Sequence, residues 1–300
     1  MEQHYPPSRE LVAKEIDYHL EKNKDLAPIF KIYQEILSVQ LNYLSKIATN
    51  HNNLSIEEIK DYFRNKKFLL SEQKLDIDTE LFREILDSVC KTIKEASPKA
   101  PASLLKLPGI DEFKENNIKE FLEAIALFNK QELEDFVKNQ EIDKKTGLDS
   151  EVISFAIFMS LSPFYSAYMK EVSQKAGFTI WRQGYCPICG QTAVMARHRS
   201  ENGARVLECW LCHAAWIYPR LECPYCHNKN QKKLRFFYVI GDKARQVHVC
   251  EECKVYLKTI DGKVMEKDVP LDVETLATGY LDILARKEGY KPPGEAAVLN

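Results

Sequence analysis

The sequence of 300 residues has no large excess of charge of either sign, because 42 Lys and Arg are balanced by 44 Asp and Glu and the formal net charge is -2. A chain this close to neutrality has no general electrostatic attraction to nucleic acid or to an acidic membrane surface. The amino terminus from Met1 to Pro7 has no basic region followed by an apolar stretch, so we expect no signal peptide. We therefore expect an ordinary soluble protein of the cytoplasm.

Long hydrophobic runs are also scarce. The segment from Val152 to Met169 has eighteen residues without a charge, which is only marginally long enough to span a bilayer. It contains several serines and Pro163. We expect it to be a buried core helix that is broken or kinked at Pro163, and we expect no membrane partner.

Recognisable catalytic motifs are absent from the sequence. It contains no nucleophile elbow, no phosphate-binding glycine loop and no His-Glu-x-x-His motif. Neighbouring acids such as Glu57 and Glu58 lie in sequence typical of a solvated surface. The sequence thus favours a protein that is not an enzyme.

The first 175 or so residues show apolar residues at helical spacing, which predicts a bundle of helices. Pro28 lies in the first turn of one predicted helix, and Ser55 with Glu58 forms a candidate capping box for another. Cys90 lies within the apolar face of a third. We expect it to be a small buried hydrophobic residue rather than a reactive thiol.

Three further segments complete this helical part. Prolines between Lys99 and Gly109 predict a loop, Phe113 to Lys138 is predicted to be helical, and the polar segment from Gln140 to Asp149 is predicted to be a connector. We place the end of a helical domain at residue 176.

At Gly177 the pattern changes to short β-type stretches, which we expect to form hairpins. They are Val206-Leu207, Ala215 to Tyr218, Leu234 to Ile240, Gln246 to Val249, and Tyr256 to Ile260. Val273 to Lys287 is predicted to be helical, with Leu276, Tyr280, Leu281 and Leu284 facing inward. The predicted class is α+β, with a helical domain (1–176), two tandem rubredoxin-like or zinc-ribbon metal modules (177–221 and 222–268), and a C-terminal helix and tail (269–300).

Eight of the nine cysteines form four Cys-x-x-Cys pairs in the last third of the chain. In a chain without an export signal, such pairs indicate metal ligands rather than disulfides. A tight turn brings both thiolates of a pair to one ion, and a hairpin returns a second pair to complete a tetrahedral site. The predicted ligands are Cys186, Cys189, Cys209, Cys212, Cys223, Cys226, Cys250 and Cys253.

The gaps between the pairs predict how they combine. Two long gaps suit hairpins and one short gap suits a connector, so the first two pairs should form one site and the last two another, although an interleaved pairing stays open. His213 and His227 directly follow second cysteines and are alternative ligands. Four thiolates suit either zinc or a single iron of the rubredoxin type, so the expected cofactors are two ions of zinc or iron, with a mainly structural role.

A nucleic-acid-binding zinc ribbon is the first alternative. From Trp181 to Met265, fourteen Arg and Lys face seven Asp and Glu. Each four-thiolate site with a divalent ion carries a net charge of about -2, which reduces the excess of seven to about three. Lys229 to Arg235 is a local basic cluster. Five aromatic residues are able to stack on bases, although covering small metal-centred cores explains them equally well: Tyr185, Trp210, Trp216, Tyr218 and Tyr225.

The sequence around the cysteine pairs resembles the formate dehydrogenase accessory protein family, FdhE. The resemblance is specific over residues 181–290 and diffuse in the helical part. It rests on Tyr185 to Gly190, Val206 to Cys212, Trp216, Arg220 to Cys223, Cys250 to Lys258, Leu276-Ala277, Leu281-Asp282 and Glu288-Gly289-Tyr290.

This resemblance implies a cytoplasmic maturation factor that binds the catalytic subunit of formate dehydrogenase, and is compatible with a homodimer. The charge count given above, rather than the resemblance, argues against nucleic acid as the partner. Two departures bear on the choice of client: Ala215 replaces an acidic residue, and Glu274-Thr275 replaces paired aspartates. The second alternative, if the sites hold iron, is a rubredoxin-like electron carrier.

Overall fold

We analysed a computed structural model that describes residues 8–48, 53–96, 122, 130–139, 150–266 and 269–295. The part before residue 176 is helical where it is described, as the sequence predicts. Its helices are α1 (Arg9–Lys22), α2 (Ala27–Leu44), α3 (Ile56–Arg64), α4 (Thr79–Ala96), α5 (Lys130–Asn139) and α6 (Ser150–Lys175).

The predicted helix starts are confirmed. The Ser55 hydroxyl accepts from the Glu58 N–H, and the Glu58 carboxylate accepts from the Ser55 N–H, which is a complete capping box for α3. Pro28 lies in the first turn of α2. Cys90 is 4% exposed on α4, and burial raises the pKa of its thiol to about 12, so it is a buried hydrophobic residue as predicted.

Some predicted segments lie outside the described residues. These are the loop from Lys99 to Gly109, the connector from Gln140 to Asp149, and most of the helix predicted from Phe113 to Lys138. The described end of that helix coincides with α5.

Helix α6 is the central helix of this part and packs against α2, α4 and α5. Its length and apolar composition are sufficient to cross a membrane, but 83% of its most apolar window is buried inside the protein. It is therefore a core helix, as predicted. The helix is not broken at Pro163, because helical structure continues on both sides of that residue.

After residue 176 the chain forms one six-stranded sheet in the order β3-β2-β1-β6-β5-β4. The strands β1, β2 and β3 form one antiparallel unit, and β4, β5 and β6 form another. Parallel pairing of β1 with β6 joins the two units. The strands are β1 (Met195–His198), β2 (Arg205–Glu208), β3 (Ala215–Tyr218), β4 (Leu234–Tyr238), β5 (Arg245–Cys250) and β6 (Tyr256–Asp261).

The sequence missed β1 and predicted the other five strands. The four residues of β1 pair with β2 across a short hairpin and with β6, and the pairing with β6, more than sixty residues away, leaves no local signal. Strand β4 ends at Tyr238 rather than Ile240. The predicted α+β class with two tandem metal-type modules is nonetheless confirmed.

The C-terminal segment forms three short helices: α7 (Gly262–Met265), α8 (Leu271–Ala277) and α9 (Gly279–Lys287). The predicted single helix is interrupted at Thr278, which caps α8 and whose hydroxyl donates to the Glu274 carbonyl at 2.5 Å. Leu281 is buried as predicted. Tyr280 was predicted to face inward but is 41% exposed, because the buried side of α9 after the break is formed by Leu281 and Ala285.

The helical part and the sheet share one hydrophobic core. Phe63 on α3 contacts Trp181, and Trp181 contacts Tyr185, with ring centroids 5.5 Å and 5.2 Å apart. A smaller cluster places Ile16 of α1 against Val273 of α8. The first two cysteine pairs therefore lie directly against the helices.

Candidate metal centres

Each Cys-x-x-Cys pair forms the same tight turn, which we call a knuckle. In every knuckle the N–H of the residue after the second cysteine donates to the carbonyl of the first cysteine, at 2.8 to 3.1 Å. That residue has a positive φ in all four knuckles, which glycine adopts most easily. The four residues are Gly190 (φ 76°), His213 (62°), His227 (56°) and Lys254 (58°).

The first cysteine site contains Cys186, Cys189, Cys209 and Cys212, as sequential pairing predicts. The Sγ atoms of Cys186 and Cys212 lie 3.3 Å apart, those of Cys189 and Cys209 3.5 Å, and those of Cys189 and Cys212 3.8 Å. None of the four residues is more than 3% exposed.

Backbone N–H groups also point at these sulfurs. The Ile188 N–H donates to Cys186 Sγ at 3.3 Å, and the Leu211 N–H donates to Cys209 Sγ at 3.4 Å. Such donors stabilise negative charge on a sulfur. The turn therefore prepares thiolates, the form in which cysteine binds a metal.

The second cysteine site contains Cys223, Cys226, Cys250 and Cys253. The Sγ atoms of Cys223 and Cys253 lie 3.7 Å apart, and those of Cys226 and Cys250 lie 3.6 Å apart. Cys226 and Cys253 are partly exposed, while the other two are buried. The fold therefore groups the cysteine pairs sequentially, and the interleaved alternative is wrong.

The donor set and its spacing fit a four-sulfur metal centre. A tetrahedron with metal–sulfur bonds of about 2.3 Å has sulfur–sulfur edges of about 3.8 Å. The observed separations of 3.3 to 3.8 Å are close to this value. They are far longer than a disulfide bond of about 2.05 Å, and all nine cysteines are free. Two groups of four cysteines can therefore hold metal ions.

Electrostatics also favour a bound cation. Burial raises the pKa of Cys189 and of Cys212 well above the ordinary thiol range, and neighbouring sulfurs raise both further. Four thiolates gathered in a buried space repel one another unless a cation compensates them. The ligands predicted from the sequence all lie in these two groups, and their binding of metal remains a prediction.

The two histidines beside the knuckles face other partners. His227 Nδ1 lies 3.2 Å from the Tyr218 hydroxyl and 3.1 Å from Glu222. His213 Nε2 lies 3.5 Å from the Ser162 hydroxyl. Each occupies the positive-φ position of its knuckle, and neither belongs to a group of four cysteines.

Hydrogen bonds to backbone carbonyls of the first site connect it to the helical part. The N–H groups of Leu69 and Leu70 donate to the carbonyls of Pro187 and Ile188 at 2.9 and 3.0 Å. On the opposite side, the Ser162 hydroxyl of α6 donates to the Leu211 carbonyl at 2.9 Å. Both knuckles of this site therefore rest on helical residues.

Several of the features that suggested nucleic-acid binding have structural partners. Lys233 pairs with Glu252, and Arg235 pairs with Glu251. Trp216, Tyr218 and Tyr225 are at most 7% exposed and belong to the core. They cover the metal-type cores and cannot stack on bases.

Glu274, which replaces a family aspartate, does not face a client. It is completely buried and accepts from Arg245 Nε and Nη2, both at 2.7 Å, and lies 3.0 Å from His19. Burial alone would raise its pKa, but hydrogen bonds from His19 and Arg245 outweigh burial and lower the pKa to about 2. Its role is to tie α8 to α1 and β5. Ala215, the other departure, is exposed.

A further group of side chains was missed by the sequence analysis. Ligand atoms of Glu208, His213 and Asp272 all lie within 4.8 Å of one another beside the first site. Burial, together with the Glu208 carboxylate, raises the pKa of Asp272 to about 8. The three residues are far apart in sequence. The local sign of this group in the sequence is that His213 directly follows Cys212.

Comparisons with known proteins agree with the motif resemblance. The protein named "Protein FdhE homolog" of Aquifex aeolicus is 25% identical over 267 residues, covering 83% of this chain and 84% of the relative. That of Stutzerimonas stutzeri is 36% identical over 118 residues, 36% of each chain. That of Shewanella sp. MR-4 is 30% identical over 159 residues, covering 49% of this chain and 50% of the relative. No family model matches the chain.

The fold agrees with that of a solved structure. The crystal structure of the FdhE protein from Pseudomonas aeruginosa superposes with a TM-score of 0.57 and covers 97% of both chains at 18% identity. The named relatives and this shared fold confirm the resemblance to the FdhE family.

Proposed function

Because this chain is a relative of the FdhE proteins, we propose that it is a cytoplasmic, non-catalytic accessory factor for the maturation of formate dehydrogenase and binds the catalytic subunit of that enzyme. The observation that carries the proposal is the pair of four-cysteine groups set in motifs of this family. Four protein ligands close a metal site, which suits a structural ion better than a catalytic one. Zinc or iron would occupy each site.

The edge strand β4 and the turn after it supply a surface for the catalytic subunit. Phe236 is 55% exposed, Tyr238 38%, Val239 40% and Ile240 97%, so four large apolar side chains are exposed within five residues. Strand β4 pairs with β5 on one side and ends the sheet on the other. Contiguous exposed apolar side chains on an unpaired strand are typical of a protein-binding surface.

The experiment is capture of a molybdenum- or tungsten-type formate dehydrogenase catalytic subunit from the native host by the tagged chain. We expect the unaltered chain to retain the subunit and the double variant Phe236→Ser, Ile240→Ser to bind it at least about tenfold more weakly, since a loss of about 1.4 kcal/mol has that effect. Ile283→Ser is the control, because Ile283 is an equally exposed apolar residue, at 60%, that lies on α9 rather than on β4 or its turn.

Two results would count against the proposal. Failure of the unaltered chain to capture any such subunit would contradict the accessory role. Equal binding by the double variant would contradict the β4 surface alone. Metal analysis of the same sample counts zinc and iron per chain, and light scattering gives the oligomeric state, which we expect to be a monomer or a homodimer.

The partial exposure of Cys226 and Cys253 supports one second candidate, a rubredoxin-like electron carrier. An electron carrier needs a redox-active metal close to the surface, and the second site is closer to it than the first. Protein isolated from native cells would then be coloured and would contain iron. A colourless protein with zinc alone would exclude this function.

A further inference from the structure

A row of four rings, which we call the ring row, crosses one face of the sheet from its exposed edge inward. Tyr238 and Phe236 lie on β4, with ring centroids 6.5 Å apart. Phe236 stacks on His248 of β5 at 5.4 Å, and His248 contacts His198 of β1 edge to face at 5.2 Å. Phe236 and Tyr238 are exposed, whereas His198 is only 4% exposed. The ring row therefore connects the β4 surface with the hairpin of β1 and β2.

Two cations lie close together at the inner end of the ring row. Arg220 follows β3, and Lys263 lies on α7. Both approach Gly203 in the turn between β1 and β2, because a Cβ built on Gly203 would lie 2.9 Å from Arg220 Nη1 and 3.9 Å from Lys263 Nζ. Burial, followed by the charges of Arg220 and Arg205, lowers the pKa of His198 to about 4. Arg220 is therefore close to the ring row, and His198 is neutral at pH 7.

These two cations have no ion pair among the residues that the structure describes. Asp261 accepts the backbone N–H of Lys263 at 3.1 Å rather than its ammonium group, and the exposed Glu201 of the β1–β2 turn pairs with neither cation. The basic residues at the start of β4 differ, because each pairs with an acid of the last knuckle. Arginine cannot release its proton in a protein, so a bound carboxylate is what compensates this charge.

From this arrangement we propose that the ring row and the Arg220–Lys263 pair form one surface, which binds a segment of the catalytic subunit that carries apolar side chains beside carboxylates. The inference rests on the accessory function proposed above and names the chemistry of the partner segment. The apolar side chains lie on Phe236 and Tyr238, and the carboxylates reach the two cations. A guanidinium can bind a carboxylate through two parallel hydrogen bonds. Such charge complementarity selects among partners that apolar contact alone does not distinguish.

Reversal of the two charges tests the cationic half of this surface. The tagged variant Arg220→Glu, Lys263→Glu is compared with the unaltered chain in capture of the catalytic subunit from the native host. The control is Lys24→Glu, Lys31→Glu, which makes the same change in net charge at two exposed lysines of the helical part. We expect the first variant to retain at least about tenfold less subunit and the control to retain as much as the unaltered chain.

Carbodiimide coupling of the captured complex tests whether the partner supplies a carboxylate. The reagent joins a carboxylate to a neighbouring lysine amine, and peptide mass spectrometry identifies the two residues. We expect Lys263 to be joined to an Asp or Glu of the subunit and Lys31 not to be joined. The variant Lys263→Arg keeps the positive charge but has no amine, so it should capture the subunit normally and lose this cross-link.

Two results would overturn the inference and leave the accessory function standing. One is equal capture of the subunit by the charge-reversed variant, and the other is a captured complex in which Lys263 is joined to no carboxylate of the subunit. Capture of no subunit by the unaltered chain would instead contradict the accessory function, and this surface with it. If circular dichroism shows that the charge-reversed variant is unfolded, Arg220→Gln, Lys263→Gln replaces it, with an expected loss of at least about threefold.

Discussion

The two cysteine sites share the same knuckles but differ in what surrounds them. The first has all four cysteines at 3% exposure or less and lies between helical residues on two sides. The second has Cys226 and Cys253 partly exposed and is bordered by the edge hairpin of β4 and β5. Identical local chemistry can therefore be fully buried at one site and partly exposed at the edge of the same core at the other.

The largest difference should follow from removing one ligand of each site. Structural zinc contributes apparent free energies of about 10 kcal/mol or more in small domains, comparable to the total stability of about 5–15 kcal/mol of a typical protein. Because the first site is fully buried and both of its knuckles are hydrogen-bonded to the helical part, we expect Cys209→Ser to prevent folding of the helices as well. Cys253→Ser should lose one metal ion and leave the helices intact. Circular dichroism and metal analysis measure both.

Equal loss of helix in both variants would show that the second site supports the helices as much as the first. Cys90→Ser is a suitable control, since Cys90 is buried on α4 outside both sites. It should keep both metal ions.

Gly190→Ala and Lys254→Ala compare how much the positive-φ residue of one knuckle at each site contributes to stability. Gly190 has φ 76°, and an added Cβ would lie 2.9 Å from the Phe68 ring. A left-handed conformation alone costs an alanine about 1–2 kcal/mol, so we expect a loss of about 2 kcal/mol in the free energy of unfolding. Lys254 occupies the equivalent position at the second site with φ 58°. Lys254→Ala should have no measurable effect in the same urea titration.

Metal release should occur in two phases. A chelator removes an ion only after its ligands open, and partly exposed segments open at lower free energy than the core. We expect the second site to lose its ion at least about tenfold faster, the ratio that corresponds to about 1.4 kcal/mol. Alkylation followed by peptide mass spectrometry should find Cys226 and Cys253 modified first. A single phase, or first modification at Cys186, would contradict the difference in burial.

Ser162→Ala should have the smallest effect of this series. It removes the hydrogen bond from α6 to the Leu211 carbonyl, which is worth about 1 kcal/mol. We expect a correspondingly lower unfolding midpoint and faster metal release at the first site only. The control is Ser173→Ala on the same helix, because the exposed Ser173 hydroxyl donates within the helix to the Lys170 carbonyl. Faster release at the second site would show that the two sites are coupled.

Much of the fold was predictable because its signals are local. The capping box of Ser55 and Glu58, the start of α2 at Pro28 and the buried Cys90 each depend on a few neighbouring residues. Strand β1 was missed because it depends on pairing with β6, more than sixty residues away. The break at Thr278 was missed although its cap is local, because the apolar spacing of the segment is that of one continuous helix.

The candidate site likewise has a part that was predictable from the sequence and a part that was not. The spacing of the cysteines predicted which sulfurs meet, because two residues within a pair and a hairpin between pairs leave the chain few alternatives. Glu274 was considered only as a departure that bears on the choice of client, but it is buried and pairs with Arg245 and His19, both distant in sequence. No spacing rule indicates such a partnership.

By itself the sequence determined which cysteines meet in the two groups and the resemblance to the FdhE family, since both depend on short motifs. Only the tertiary structure decided that the first site is fully buried and the second partly exposed, and that Glu208, His213 and Asp272 meet. The physical reason is that ligand spacing is fixed by a short length of covalent chain. Burial and charge compensation are fixed by side chains that only the packing of helices against the sheet brings together.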